Sequence, residues 1–168
     1  MITLSKKQTN IAEVLVRQFN SSWKMLERAI NNVSDELWNK FEIEWGYVRN
    51  LIHIIETGEF YNSDTPDDFN WGKFVGIEWK KDSKKEVNKK FEKITKDDVR
   101  RYLEVVRSYI QKKLSTFNSE KMLDSDGFME YIPSIFDKYL YLLRHNMHHI
   151  GELNKTLRDN NEKRINWS

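Results

Sequence analysis

Four histidines carry most of the chemistry this chain can offer. Three lie together near the C-terminal end, at His145, His148 and His149, and the fourth is His53, far upstream. His145 and His149 are four residues apart. On a helix that spacing leaves them about 40° apart on one face, one turn above the other, so two imidazoles can converge on one ion. A third ligand must come from another element, and His53 is the only histidine left once His148 is set aside. Three histidines with positions left open for water or substrate are the pattern of a catalytic metal site rather than a closed structural one. Three imidazoles with open positions accept several first-row metals, so the donor set alone does not name the ion.

On the wheel of the last helix the core face is set by Ile135, Tyr139, Leu143, Asn146, Ile150 and Leu157. His149 falls at one edge of that face, His145 slightly beyond it, and His148 points away. The expected ligands are therefore His53, His145 and His149, with His148 exposed; a His145/His148 pair at i, i+3 stays open as an alternative. Neither His53 nor His145 is central on its apolar face, which puts the site at a seam between helices, beside a cleft. Arg49, Glu56, Tyr141 and Glu152 are the candidate residues around it. Glu56 or Glu152 would orient a ligand's free N–H, and Arg49 would hold an anionic substrate group. For each the competing reading is an ordinary surface charge.

Other metal motifs do not fit. Ferritin-like di-metal sites need Glu three residues before each ligating histidine, and those positions hold Asn50, Leu142 and Asn146. The segment from His145 to His149 contains no Glu, which excludes the zinc-protease pair. With no cysteine there is no thiolate site, no disulfide and no cysteine nucleophile. The 28 basic and 26 acidic residues give a formal charge of +2, too weak a field to attract nucleic acid or an anionic membrane. No apolar run approaches the roughly 20 residues that cross a bilayer, and the N-terminal residues lack a signal peptide's apolar stretch. The expectation is a cytoplasmic protein of one domain over residues 1–168.

The elements that must position these residues are helical. Only two prolines and six glycines interrupt the chain. Ile11, Val14, Leu15, Phe19, Ser22, Leu26, Ala29 and Ile30 trace one buried face, widened by Trp23 and Met25. Residues 34–38 read as a short capped turn of helix. A second long helix from about Trp45 to about Tyr61 sets Tyr47, Val48, Leu51, Ile52, Ile54 and Ile55 opposite a polar stripe of Arg49, Asn50, His53 and Glu56. That stripe faces either water or a polar cleft. Residues 62–93 read as a long loop whose aromatics, Trp71, Phe74 and Trp79, require part of it to pack, and it could cover the site. Thr95 and Asp98 open a third helix with core residues Val99, Tyr102, Leu103, Val106, Ile110, Leu114 and Phe117. After a second loop, 118–131, Pro133 and Ser134 start the last helix, which runs to about Asp159. Four long amphipathic helices and no strand pattern predict an all-α four-helix bundle with a long loop between its second and third helices.

This pattern resembles the DinB/YfiT-like family of metalloenzymes, which are four-helix bundles with one histidine on the second helix and a His-x-x-x-His pair on the last. The matching positions are His53 within Leu51–Glu56, and His145 and His149 within Arg144–Leu153, with His149, Ile150, Gly151, Glu152 and Leu153 as the ending and Leu157 and Arg158 trailing. The resemblance covers nearly the whole chain. It implies a divalent ion, zinc first with nickel or iron as alternatives, held by three histidines and water, a homodimer, and chemistry of the thiol S-transferase or hydrolase type on a small molecule, with a low-molecular-weight thiol as co-substrate. A non-catalytic metal-binding or stress-related interaction protein is the alternative.

Overall fold

The computed structural model describes residues 10–40, 46–67 and 69–168. Every regular element among them is an α-helix. In chain order they are α1 (Ile11–Asn32), α2 (Asp35–Trp38), α3 (Tyr47–Asn62), α4 (Lys84–Phe91), α5 (Lys96–Leu114), α6 (Ser119–Leu123) and α7 (Ile135–Asp159). The expected start of the second helix at Trp45 lies outside the described residues.

Local chemistry fixes the ends of the long helices. Asn10 caps α1, its side chain accepting from the Ala12 amide. Thr95 and Asp98 close a reciprocal capping box on α5, and Ser134 accepts from Asp137 at the head of α7. Each cap satisfies backbone donors that the first helical turn leaves without partners. Ser34 does the same for the short α2.

The four long helices pack in a closed circuit. α1 lies against α5 and α7, and α3 lies against the same two. Phe19, Trp23, Leu26 and Ile30 of α1 meet Leu51, Ile54 and Ile55 of α3, Ile110 and Leu114 of α5, and Tyr139 of α7 in a fully buried core. Val14 is the exception on the expected face of α1 and is exposed. On α7 the buried residue is Leu142 rather than Leu143, and Lys138 joins the core. Lys138 is tolerated there because its ammonium pairs with Asp126 and lies 4.6 Å from the Phe128 ring centre.

The two expected loops hold more structure than their composition suggests. α4 lies within residues 62–93, opened by a capping box between Ser83 and Glu86. α6 lies within 118–131, capped by Asn118. The stretch before α4 is bound to the body of the protein. Phe74 stacks on Tyr102 with ring centres 4.2 Å apart, and Trp71 packs on Phe60 and Phe69. Gly72 takes φ +86°, a conformation that suits glycine, and its amide donates to Glu56 Oε1 at 2.5 Å. No helix among the described residues is long and apolar enough to cross a membrane.

Candidate metal centre

α3 is buried almost all round, and only Arg49, His53 and Glu59 escape full burial. Its polar stripe therefore does not face water. Asn50 and His53 turn toward α7, while Arg49 and Glu56 turn toward the connection that follows α3. His53, His145 and His149 come together across the α3–α7 seam, each partly buried. Their ring centres are 5.0 Å (His53–His145), 4.9 Å (His53–His149) and 4.4 Å (His145–His149) apart.

The closest approach is between His53 Nε2 and His145 Nε2, at 3.2 Å. Two imidazole nitrogens bound tetrahedrally to one ion at about 2.0–2.1 Å each lie roughly 3.3–3.4 Å apart. The separation thus suits a shared metal with little rearrangement. One ligand atom from each of the three histidines lies within 4.8 Å of the others. These residues could hold a metal ion.

Electrostatics favours ligation over protonation. Burial lowers the pKa of His53 to about 4, helped by the nearby His149 and Arg49. Burial likewise lowers His145 to about 4, helped by His149 and His53. Both rings are neutral near pH 7, which leaves them lone pairs for a cation. His145 Nδ1 is buried without a partner at hydrogen-bonding geometry; the adjacent Asn146 amide offers it only a weak contact. With both rings neutral, one Nε2 donates to the other, and an incoming ion would displace that proton.

His149 is held differently. Its Nδ1 lies 2.6 Å from Glu152 Oε2. Burial opposes ionisation of Glu152, but hydrogen bonds from His149 and Asn50 outweigh it and keep the carboxyl below its usual range. An ionised carboxylate only accepts, so His149 carries its proton on Nδ1 and presents Nε2 as the free lone pair. This carboxylate–imidazole pairing is the common means of fixing a metal-binding histidine. Asn50 Nδ2 donates to the same Glu152 oxygen at 3.3 Å and so ties the arrangement back to α3. His148 is exposed, with Nε2 3.3 Å from Glu152 Oε1. With His149 and Glu152 it makes a second, outer group of ligand atoms on the surface of α7.

A cleft of about 410 Å³ opens beside His53, lined by Arg49, Ile52, Glu56, Trp71, Trp79 and Phe91. Arg49 and Glu56 both border it. Glu56 meets no histidine; its carboxylate holds the Gly72 amide, and burial raises its pKa to about 7. Tyr141 stands one turn from His145 on α7, packed on Tyr61 and under the Arg144 guanidinium, and is not part of the cleft lining. Asn50 lies on the polar stripe expected around His53, whereas Ile52, Trp71, Trp79 and Phe91 are lining residues that sequence reasoning did not assign to the site. The aromatic content of residues 62–93 was the one signal pointing to the two tryptophans.

No family model, curated protein or solved structure matches the chain.

Proposed function

We propose that this chain is a divalent-metal-dependent enzyme on a DinB-like four-helix bundle, with α1, α3, α5 and α7 as its four helices. The observation that carries the proposal is the convergence of His53, His145 and His149 across the α3–α7 seam, with two ring nitrogens already at metal-sharing distance. Zinc is the ion that fits first, and nickel or iron suits the same donors.

When bound, the ion supplies Lewis acidity that brings the pKa of a thiol or water at an open position toward neutrality. The chain's own residues do the rest. His145 and His53 present neutral nitrogens, Glu152 fixes the His149 ring, and Asn50 fixes Glu152. The reaction class that agrees with this arrangement is thiol S-transfer or hydrolysis on a small molecule, with a low-molecular-weight thiol as the first co-substrate to test. A homodimer and a cytoplasmic location belong to the same proposal, on the strength of the family resemblance.

The cleft beside His53 favours an enzyme over a non-catalytic metal protein, because a purely structural ion has no use for an adjoining apolar cavity. Cobalt substitution tests the point. A change in the visible spectrum of the cobalt protein on adding a thiol supports an open, reactive site. A spectrum of four protein ligands, unchanged by thiol, supports the structural reading.

A further inference from the structure

The four histidines form one row. From the surface of α7 inward, ring centres are 5.0 Å apart for His148 and His149, 4.4 Å for His149 and His145, and 5.0 Å for His145 and His53. The row starts at a side chain that is 68% exposed, passes one that is 19% exposed, and ends at the α3–α7 seam. His149 belongs to both groups of ligand atoms, the inner one with His53 and His145 and the outer one with His148 and Glu152.

The outer group has a donor pair of its own. His148 and Glu152 are four apart on α7, and His148 Nε2 lies 3.3 Å from Glu152 Oε1. Two donor atoms on one tetrahedral ion at about 2.0–2.2 Å stand roughly 3.3–3.5 Å apart. Glu152 meets His149 through its other oxygen, so Oε1 can take an ion while the contact that orients His149 stays in place. The cations flanking the pair on α7 are engaged elsewhere, Lys155 by Asp159 and Arg144 by the Tyr141 ring. An exposed ion pair by itself contributes little to stability. At the head of the row it has a use.

The other way to the inner site suits a cation poorly. The cleft beside His53 is walled by Trp71, Trp79 and Phe91, and Arg49 sets its positive charge 5.2 Å from the Trp79 ring centre. A hydrated dication loses water against such rings and is repelled by the guanidinium. On α7 it meets a carboxylate and an exposed imidazole instead.

We propose that His148 and Glu152 form a capture site for divalent first-row cations, from which the ion passes along the row by stepwise exchange of imidazole ligands. The proposal rests on the metal-site reading of His53, His145 and His149. The ion keeps its oxidation state throughout. Each step makes one inner metal–nitrogen bond and breaks one outer bond, and the proton between His53 and His145 leaves to solvent when the ion arrives. A capture site speeds entry and exit alike, so it changes the rates and leaves the final affinity alone.

The test is stopped-flow mixing of metal-free protein with excess cobalt(II), followed by the visible bands of the cobalt protein. Chelator competition on the same samples gives the equilibrium affinity. His148→Ala should slow uptake about tenfold, with the final band intensity unchanged and the affinity within about twofold of the parent. Glu152→Gln should slow uptake too but also weaken affinity, because Glu152 orients His149. Uptake by His148→Ala at the parent rate overturns the proposal. So does a loss of affinity or band intensity in His148→Ala, which would make His148 a ligand of the final site. Faster uptake in Trp79→Ala would place entry at the cleft and likewise overturns it. A parent protein that develops no cobalt bands contradicts the three-histidine site itself, and the capture route with it.

Discussion

His53 and His145 are separated by 92 positions in the chain, yet their Nε2 atoms stand 3.2 Å apart. Burial keeps both rings neutral near pH 7, so a single shared proton joins them in the metal-free protein. The α3–α7 seam could take an ion in place of that proton.

Glu152 acts through His149. Glu152→Gln keeps the volume and an acceptor oxygen but removes the charge that orients the ring. Zinc affinity, measured by competition with a chromophoric chelator, should fall about 10–100-fold while the thermal midpoint of the metal-free protein moves little. Unchanged affinity would show that Glu152 is only a surface partner of His148 and His149.

The buried carboxyl of Glu56 titrates at about 7, against 4.5 for an ordinary glutamic acid. Because the folded value is the higher one, the native state binds more protons between these pH values, and stability falls as pH rises through that window. Glu56→Gln, which still offers an oxygen to the Gly72 amide, should match the parent protein at pH 4.5. At pH 8 it should be more stable by about 1–3 kcal/mol in urea denaturation.

The histidines pull the other way. Their folded pKa values, about 4, lie below the ordinary 6.5, so the unfolded chain binds more protons between pH 4 and 6.5. Stability of the metal-free protein should therefore drop as pH falls through that range. Glu56→Gln removes the opposing trend and should expose a steep acid-side loss, which adding His145→Gln should reduce by about half. A flat profile in Glu56→Gln would show that the rings are not held neutral by the fold.

The connection over the cleft depends on Gly72. A Cβ there would meet Trp79 Nε1 at 2.8 Å and Ile77 Cβ at 2.9 Å, on a backbone at φ +86°. Gly76, at φ +74°, has open space around it. Gly72→Ala should cost about 2–4 kcal/mol and shift tryptophan fluorescence, whereas Gly76→Ala should cost only about 1 kcal/mol of backbone strain. Equal costs would mean that the loop repacks freely.

These tests also separate what the sequence made legible from what it concealed. α1, α5 and α7 follow from apolar spacing and from caps such as Thr95 and Ser134, because long amphipathic helices repeat their signal over several turns. α4 does not, since Val87 and Phe91 are its only buried residues among lysines, and two positions make no period. Its Ser83–Glu86 box was the readable sign. Lys138 was hidden because its burial depends on Asp126, Phe128 and Tyr139, contacts that no wheel displays. The histidine spacing put His145 and His149 on one face, and the i, i+3 spacing of His149 and Glu152 made their contact readable. A cleft beside the seam was expected, but its lining was not readable, because Trp71, Trp79 and Phe91 reach it only through the folded connection.

The central claim is that three histidines from two helices hold one ion. Metal content by plasma emission, after purification without chelators and reconstitution with zinc, tests it most directly. The parent protein should retain about one equivalent per chain, and both His53→Ala and His145→Ala/His149→Ala should retain almost none while remaining helical. Equal metal in the parent and in these variants would contradict the account.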